Sequence, residues 1–104
     1  MRRVRDLAFA RSGDKGDTSS IAVTCHDLAD YPVLARALTP ERIAVALAGL
    51  ALGPVHRHEV PAHGTLVFVV ERALAGGVSR SLRYDPHGKT LSSLVLAIAI
   101  EPAP

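Results

Sequence analysis

The sequence is short of nearly everything that marks a specialised class. One cysteine, Cys25, in 104 residues excludes an internal disulfide framework and a multi-cysteine zinc site. There is no tryptophan, and Phe9, Tyr31, Phe68 and Tyr84 are the aromatic residues. Lysine is scarce too. Ten of the twelve cations are arginine, scattered from Arg2 to Arg83, and ten carboxylates leave a net charge of +2. A nucleic-acid binder carries a basic stripe, often with stacking aromatics, and this chain offers neither. No apolar run approaches the roughly 18 residues of a membrane span; residues 44–52 and 94–100 are the longest. The basic start, Met1-Arg2-Arg3-Val4-Arg5-Asp6, is followed by no apolar h-region, so no secretory signal is expected. These absences point to a cytoplasmic protein with neither a membrane nor a nucleic-acid partner.

What is present is ordinary globular material. The apolar share is 48% and the charged share 21%, a balance that argues against disorder. A chain of this length buries roughly 65% of its unfolded surface, enough for one self-sufficient core, so residues 1–104 read as a single domain. The arginine-rich usage also suits small anions, because a guanidinium makes planar bidentate contacts to carboxylate and phosphate.

Periodicity supplies the elements. Residues 4–10 read as a strand with Leu7 and Phe9 on one face. Residues 11–17 are polar with two glycines and read as a loop. Residues 18–25 alternate, with Ser19, Ile21, Val23 and Cys25 on one side, and pair with the first strand as a hairpin. Tyr31, Leu34, Ala35 and Leu38 fall at helical spacing. Thr39 caps a second helix that has Pro40 at its first position and a stripe of Ile43, Ala46, Leu47 and Leu50. Residues 55–60 and 65–72 are strands. The second of these is so continuously apolar that burial on both faces or a central place in the sheet is expected. Gly76-Gly77 breaks the chain, residues 79–84 are extended, and Asp85-Pro86-His87-Gly88 turns it. Residues 89–96 fit a helix or a strand; the reading adopted is a helix followed by a strand to residue 101. Mixed elements without strict alternation give an α+β protein. Their order is that of the ferredoxin-like split βαβ arrangement, an antiparallel sheet with helices on one face.

Residues 11–18 carry the densest chemistry. Arg11 and Lys15 are positioned to hold an anion, and Asp14 and Asp17 to orient those cations or accept from backbone amides. The order Lys15-Gly16 is not that of a P-loop, where the lysine follows the glycine. The plain alternative is a hairpin loop with self-neutralising charge. His56 and His58 share a strand face, and His63 follows across a turn, but the pattern is equally that of a wet edge strand, so no metal is expected. Cys25 and His26 are adjacent on a strand and point to opposite faces, poorly placed for a nucleophile pair; Cys25 reads as a small core residue.

The run Ala10-Arg11-Ser12-Gly13-Asp14-Lys15-Gly16-Asp17-Thr18-Ser19-Ser20-Ile21-Ala22-Val23 closely resembles the small domain associated with the acyclic terpene utilisation AtuA family. The likeness continues through Tyr31-Pro32-x-Leu34 and Leu38-Thr39-x-Glu41-Arg42. It returns at Gly76-Gly77 and Ser81-Leu82-Arg83-x-Asp85-x-x-Gly88-Lys89. The resemblance implies a ferredoxin-like fold and a link to catabolism of branched or isoprenoid acids as coenzyme A thioesters. In many members this domain is the C-terminal part of a much longer chain, so a separate large AtuA-like chain is the expected partner.

The expected function is therefore a small accessory subunit that docks on that large chain. Arg11, Ser12, Gly13, Asp14, Lys15, Gly16, Asp17 and Thr18, with Arg83 and Lys89, would contribute to an interfacial anion or acyl-CoA site. No cofactor is expected beyond a coenzyme A thioester as substrate. One alternative is a stand-alone lyase or hydratase with Asp14, Lys15 or Asp17 as catalytic candidates. Another is a homo-oligomeric binding module without chemistry. A homo- or hetero-oligomer is expected in each case, because a sheet with helices on one face leaves the other open, with Phe68 or its neighbours exposed.

Overall fold

Residues 4–10 do not form one strand. In the computed structural model, which describes residues 2–15, 18–47, 53–71 and 89–100 (of Asp14, Lys15, Lys89 and Thr90 the backbone alone), the chain opens with a single helical turn, α1 (Val4–Leu7). The Asp6 carboxylate accepts the Arg3 backbone N–H at 2.7 Å. The Val4 N–H donates to the Ile98 carbonyl at 2.9 Å and the Ile100 N–H to the Arg2 carbonyl at 2.9 Å, so the segment before the turn pairs with the C-terminal stretch rather than with β2. β1 begins only at Ala8 and runs to Lys15 (Ala8–Lys15). The polar run expected to be a loop is thus mostly strand. β2 (Thr18–Cys25) follows, and the two pair antiparallel from Ala8↔Cys25 to Lys15↔Thr18. The hairpin stands, paired as far as Lys15↔Thr18; Gly16 and Asp17 lie outside the described residues. Ala8 is buried and Phe9 exposed, the reverse of the expected facing.

A 3-10 turn at Leu28–Asp30 leads into α2 (Tyr31–Ala37). α3 (Pro40–Ala46) begins where the sequence placed it: the Thr39 hydroxyl accepts the Arg42 N–H at 3.2 Å, and Pro40 takes the first position. Ile43 and Leu47 are fully buried; Leu50 lies outside the described residues. β3 (Val55–Val60) and β4 (Thr65–Val70) are joined by a 3-10 turn over Pro61–His63. That turn closes on Gly64, whose φ of +62° is left-handed. β4 buries Leu66, Phe68 and Val70 completely. Thr65, Val67 and Val69 are only half-buried, so one face of this strand is covered rather than two, while the strand takes the central place that its apolar run also allowed, between β2 and β3. Phe68 lies under the helices, and its neighbours Val67 and Val69 face outward. α4 (Lys89–Leu96) is the expected helix. The strand expected after it reduces to one bridge, Ala99 to Arg3, because the outer strand position is already filled by β1.

The sheet order is β1-β2-β4-β3, antiparallel throughout. β2 and β3, both antiparallel to β4, run parallel to each other and are joined through α2 and α3. This is a split βαβ unit with β4 inserted between its strands, and β1 is added at the edge by the hairpin. The core lies between the helices and one sheet face, built from Ile21, Val23, Leu66, Phe68 and Val70 against Leu34, Leu38, Ile43, Leu47, Leu91 and Val95. The fold is α+β and ferredoxin-like. Among the described residues no helix is long and apolar enough to cross a membrane.

Candidate functional site between the edge strand and the last helix

Strand alternation splits the polar run. Ser12, on the helix side, is half-buried, while Arg11 and Gly13 are exposed. Gly13 lies within a regular strand, and a Cβ there would meet nothing within 4 Å. The glycine is therefore not demanded by a tight turn, as the loop reading implied.

α4 completes the site. Ser12 Oγ donates to Ser92 Oγ at 3.2 Å. At the other end of the helix the Arg3 guanidinium donates to the Ala97 carbonyl at 2.7 Å, and Val4 binds the Ile98 carbonyl. The helix therefore runs antiparallel to β1, and its first turn lies at the hairpin end, beside Asp14 and Lys15. That end carries the positive pole of the helix. Between β1 and α4 lies a groove of about 570 Å³ lined by Ala10, Arg11, Ser12, Ser92, Ser93 and Leu96. Four of these can donate hydrogen bonds from their side chains, and Ala10 and Leu96 form an apolar wall.

The arginines divide by what they touch. Arg42 reaches the carbonyls of Ala37 (3.0 Å) and Ala99 (2.5 Å). Arg57 donates to the carbonyls of Ala35 (2.7 Å) and Leu38 (3.0 Å) and to Glu59 (2.7 Å). These two tie α2 to β3 and α3 to the C-terminal segment. The Arg11 side chain makes no hydrogen bond or ion pair with a described residue, and Arg11 alone of the described cations borders the groove. A smaller cleft of about 290 Å³ by Glu41, Arg42, Val45, Ala46 and Ile98 has largely apolar walls, and its cation is already engaged.

The remaining candidates sort as follows. Arg83, Gly16 and Asp17 lie outside the described residues. Thr18 pairs with Lys15 at the hairpin end of the sheet. Lys89 opens α4 at that same end. Ser92 and Ser93, absent from the sequence-derived set, are brought to Arg11 and Ser12 by the packing of α4. Their helical position was legible, but the face they share with β1 depends on pairing across some eighty residues. His56 and His58 stand on the same outward face, and His56 Nε2 meets Glu71 Oε2 at 2.6 Å. Among the described residues no three potential metal ligands come together. Cys25 is buried and His26 exposed. Burial pushes the Cys25 thiol above its ordinary value, partly offset by a backbone hydrogen bond.

The model of the AtuA ferredoxin-like domain matches residues 2–101 of this sequence. The chain belongs to the AtuA ferredoxin-like family. No curated protein and no solved structure matches it. The match spans both walls of the groove, so the AtuA ferredoxin-like domain includes β1, with its Gly-Asp-Lys-Gly-Asp hairpin, and α4.

Proposed function

We propose that this chain is an accessory binding subunit of an AtuA-type system. It docks on a separate large AtuA-like chain and supplies the β1–α4 groove to an interfacial site for a branched acyl-CoA thioester. The observation that carries the reading is Arg11, whose side chain makes no hydrogen bond or ion pair with a described residue, at the border of a cleft with serine hydroxyls along one part and an apolar wall along another. An anionic or carbonyl oxygen pairs with the donors, and a short branched hydrocarbon lies on Ala10 and Leu96. Asp14, Lys15 and Thr18 lie at the hairpin end, where the first turn of α4 adds its positive pole.

Calorimetric titration of the purified chain tests this, with isovaleryl-CoA, free isovalerate and coenzyme A as separate probes. Isovaleryl-CoA should bind, and Arg11→Ala should weaken it roughly ten- to hundred-fold, the loss expected of one charge-assisted contact. Turnover of the thioester by the chain alone would favour the lyase or hydratase alternative.

A further inference from the structure

The sheet face turned away from the helices has a graded composition. Its rows, read across β1, β2, β4 and β3, are Phe9–Thr24–Thr65–Val60, Arg11–Ala22–Val67–His58 and Gly13–Ser20–Val69–His56. Small side chains line β2 and bulkier ones line β4. Gly13 has open space above it, and His56 at the far end of its row is exposed. Phe9, 46% exposed, is the largest apolar group on the face and lies across from Val60. Glycine inside a strand often marks the close approach of another chain.

We infer that this face is the interface with a second copy of the chain, about a two-fold axis parallel to the strands. Such an axis sets β1 over β3 and β2 over β4 of the second copy and keeps each row opposite its own image. Ala22 then meets Val67, Ser20 meets Val69, Gly13 meets His56, and Phe9 meets Val60. Two of the three central contacts, Ala22 with Val67 and Ser20 with Val69, set small against large, and the third sets Thr24 against Thr65; such pairing lets facing layers interdigitate at about 10 Å. The expected rotation of roughly 30° between stacked sheets spreads each contact to its diagonal neighbour without changing that grading. Arg11, His58 and the His56–Glu71 pair form a polar rim. Four strands at about 4.8 Å spacing, six residues long, present roughly 400 Å² in projection. Over both copies that is roughly 800 Å², below the usual range of stable interfaces, so the expected dimer is a weak one that forms and dissociates with concentration. The inference shares Arg11 with the groove, since that residue stands on the β1 edge between them, but its central contacts at Ala22, Ser20, Val67 and Val69 are not groove residues.

Sedimentation of the full chain tests it. The parent should be a dimer at about 20 micromolar and dissociate on dilution. Val67→Glu and Ala22→Lys should each be monomeric at that concentration, with cooperative melts showing that both fold. Mixed in equal amounts they should recover a dimer, since the axis places position 22 of one copy over position 67 of the other. A parent that is monomeric at about 100 micromolar would overturn the inference. So would single variants that remain dimeric, or folded variants that do not combine.

Discussion

Gly64 is the residue on which the β3–β4 connection depends most. Its φ is +62°, and a Cβ there would stand 2.5 Å from Cys25 Sγ and 2.9 Å from Leu28 Cδ2. Gly64→Ala should cost about 2–3 kcal/mol, combining left-handed strain with overpacking. That is a fall of roughly 10–20 °C in melting temperature for a domain of this size. Gly13 is the contrast. With open space at its Cβ, Gly13→Ala should be neutral or stabilise slightly, by up to about 1 kcal/mol. Two buried acids set the response to alkali. Burial raises the Cys25 thiol from its ordinary 9.0. Burial, then the charge of Glu59, raises the Tyr31 hydroxyl from its ordinary 10.0. Each folded-state value exceeds the unfolded one, so the unfolded chain releases its proton first. Stability is full below pH 9 and declines as pH rises through the ordinary and then the folded values. Urea midpoints from pH 7 to 11 should show that decline, with its lower part reduced in Cys25→Ala; a flat profile in the parent would refute it.

At the scale of elements, helices and hairpin strands were legible wherever local chemistry decides them. Thr39-Pro40 announced α3, the 18–25 alternation announced β2, and Thr39→Ala should cost about 1 kcal/mol by thermal melt. The misreadings came where a distant partner overrides local pattern. Leu7 and Phe9 alternate like strand residues, yet the Ile98 carbonyl claims the Val4 amide and holds a helical turn there. Residues 11–15 are polar and look like a loop, but β2 offers them a ladder. Arg57 could not be assigned from sequence, because its carbonyl partners on α2 lie some twenty residues away. Arg57→Met leaves those carbonyls without their charged donor and should cost about 1–2 kcal/mol, read from denaturant midpoints at constant slope.

At the scale of the whole molecule, the residue pattern and element order were enough for an α+β, ferredoxin-like domain. They were not enough to show that its outer strand comes from the N-terminal hairpin. Half of the groove was legible in the same way. Arg11 and Ser12 stood out as chemistry-bearing residues, whereas Ser92 and Ser93 join them only once α4 packs antiparallel to β1. Arg42 and Arg57 donate to carbonyls inside the domain, whereas the Arg11 side chain makes no hydrogen bond or ion pair with a described residue, and the proposed site rests on that difference. Asp14→Ala and Lys15→Ala belong with Arg11 in the proposed site. Each should lower thioester binding while shifting stability by less than about 0.5 kcal/mol. The central claim is that the β1–α4 groove receives an anionic acyl thioester, and amide chemical shifts recorded while isovaleryl-CoA is titrated into the labelled chain test it most directly. The account predicts saturating shifts at Arg11, Ser12, Ser92 and Ser93, abolished in Arg11→Ala. Saturating shifts confined to other residues, or unchanged binding by Arg11→Ala, would contradict it.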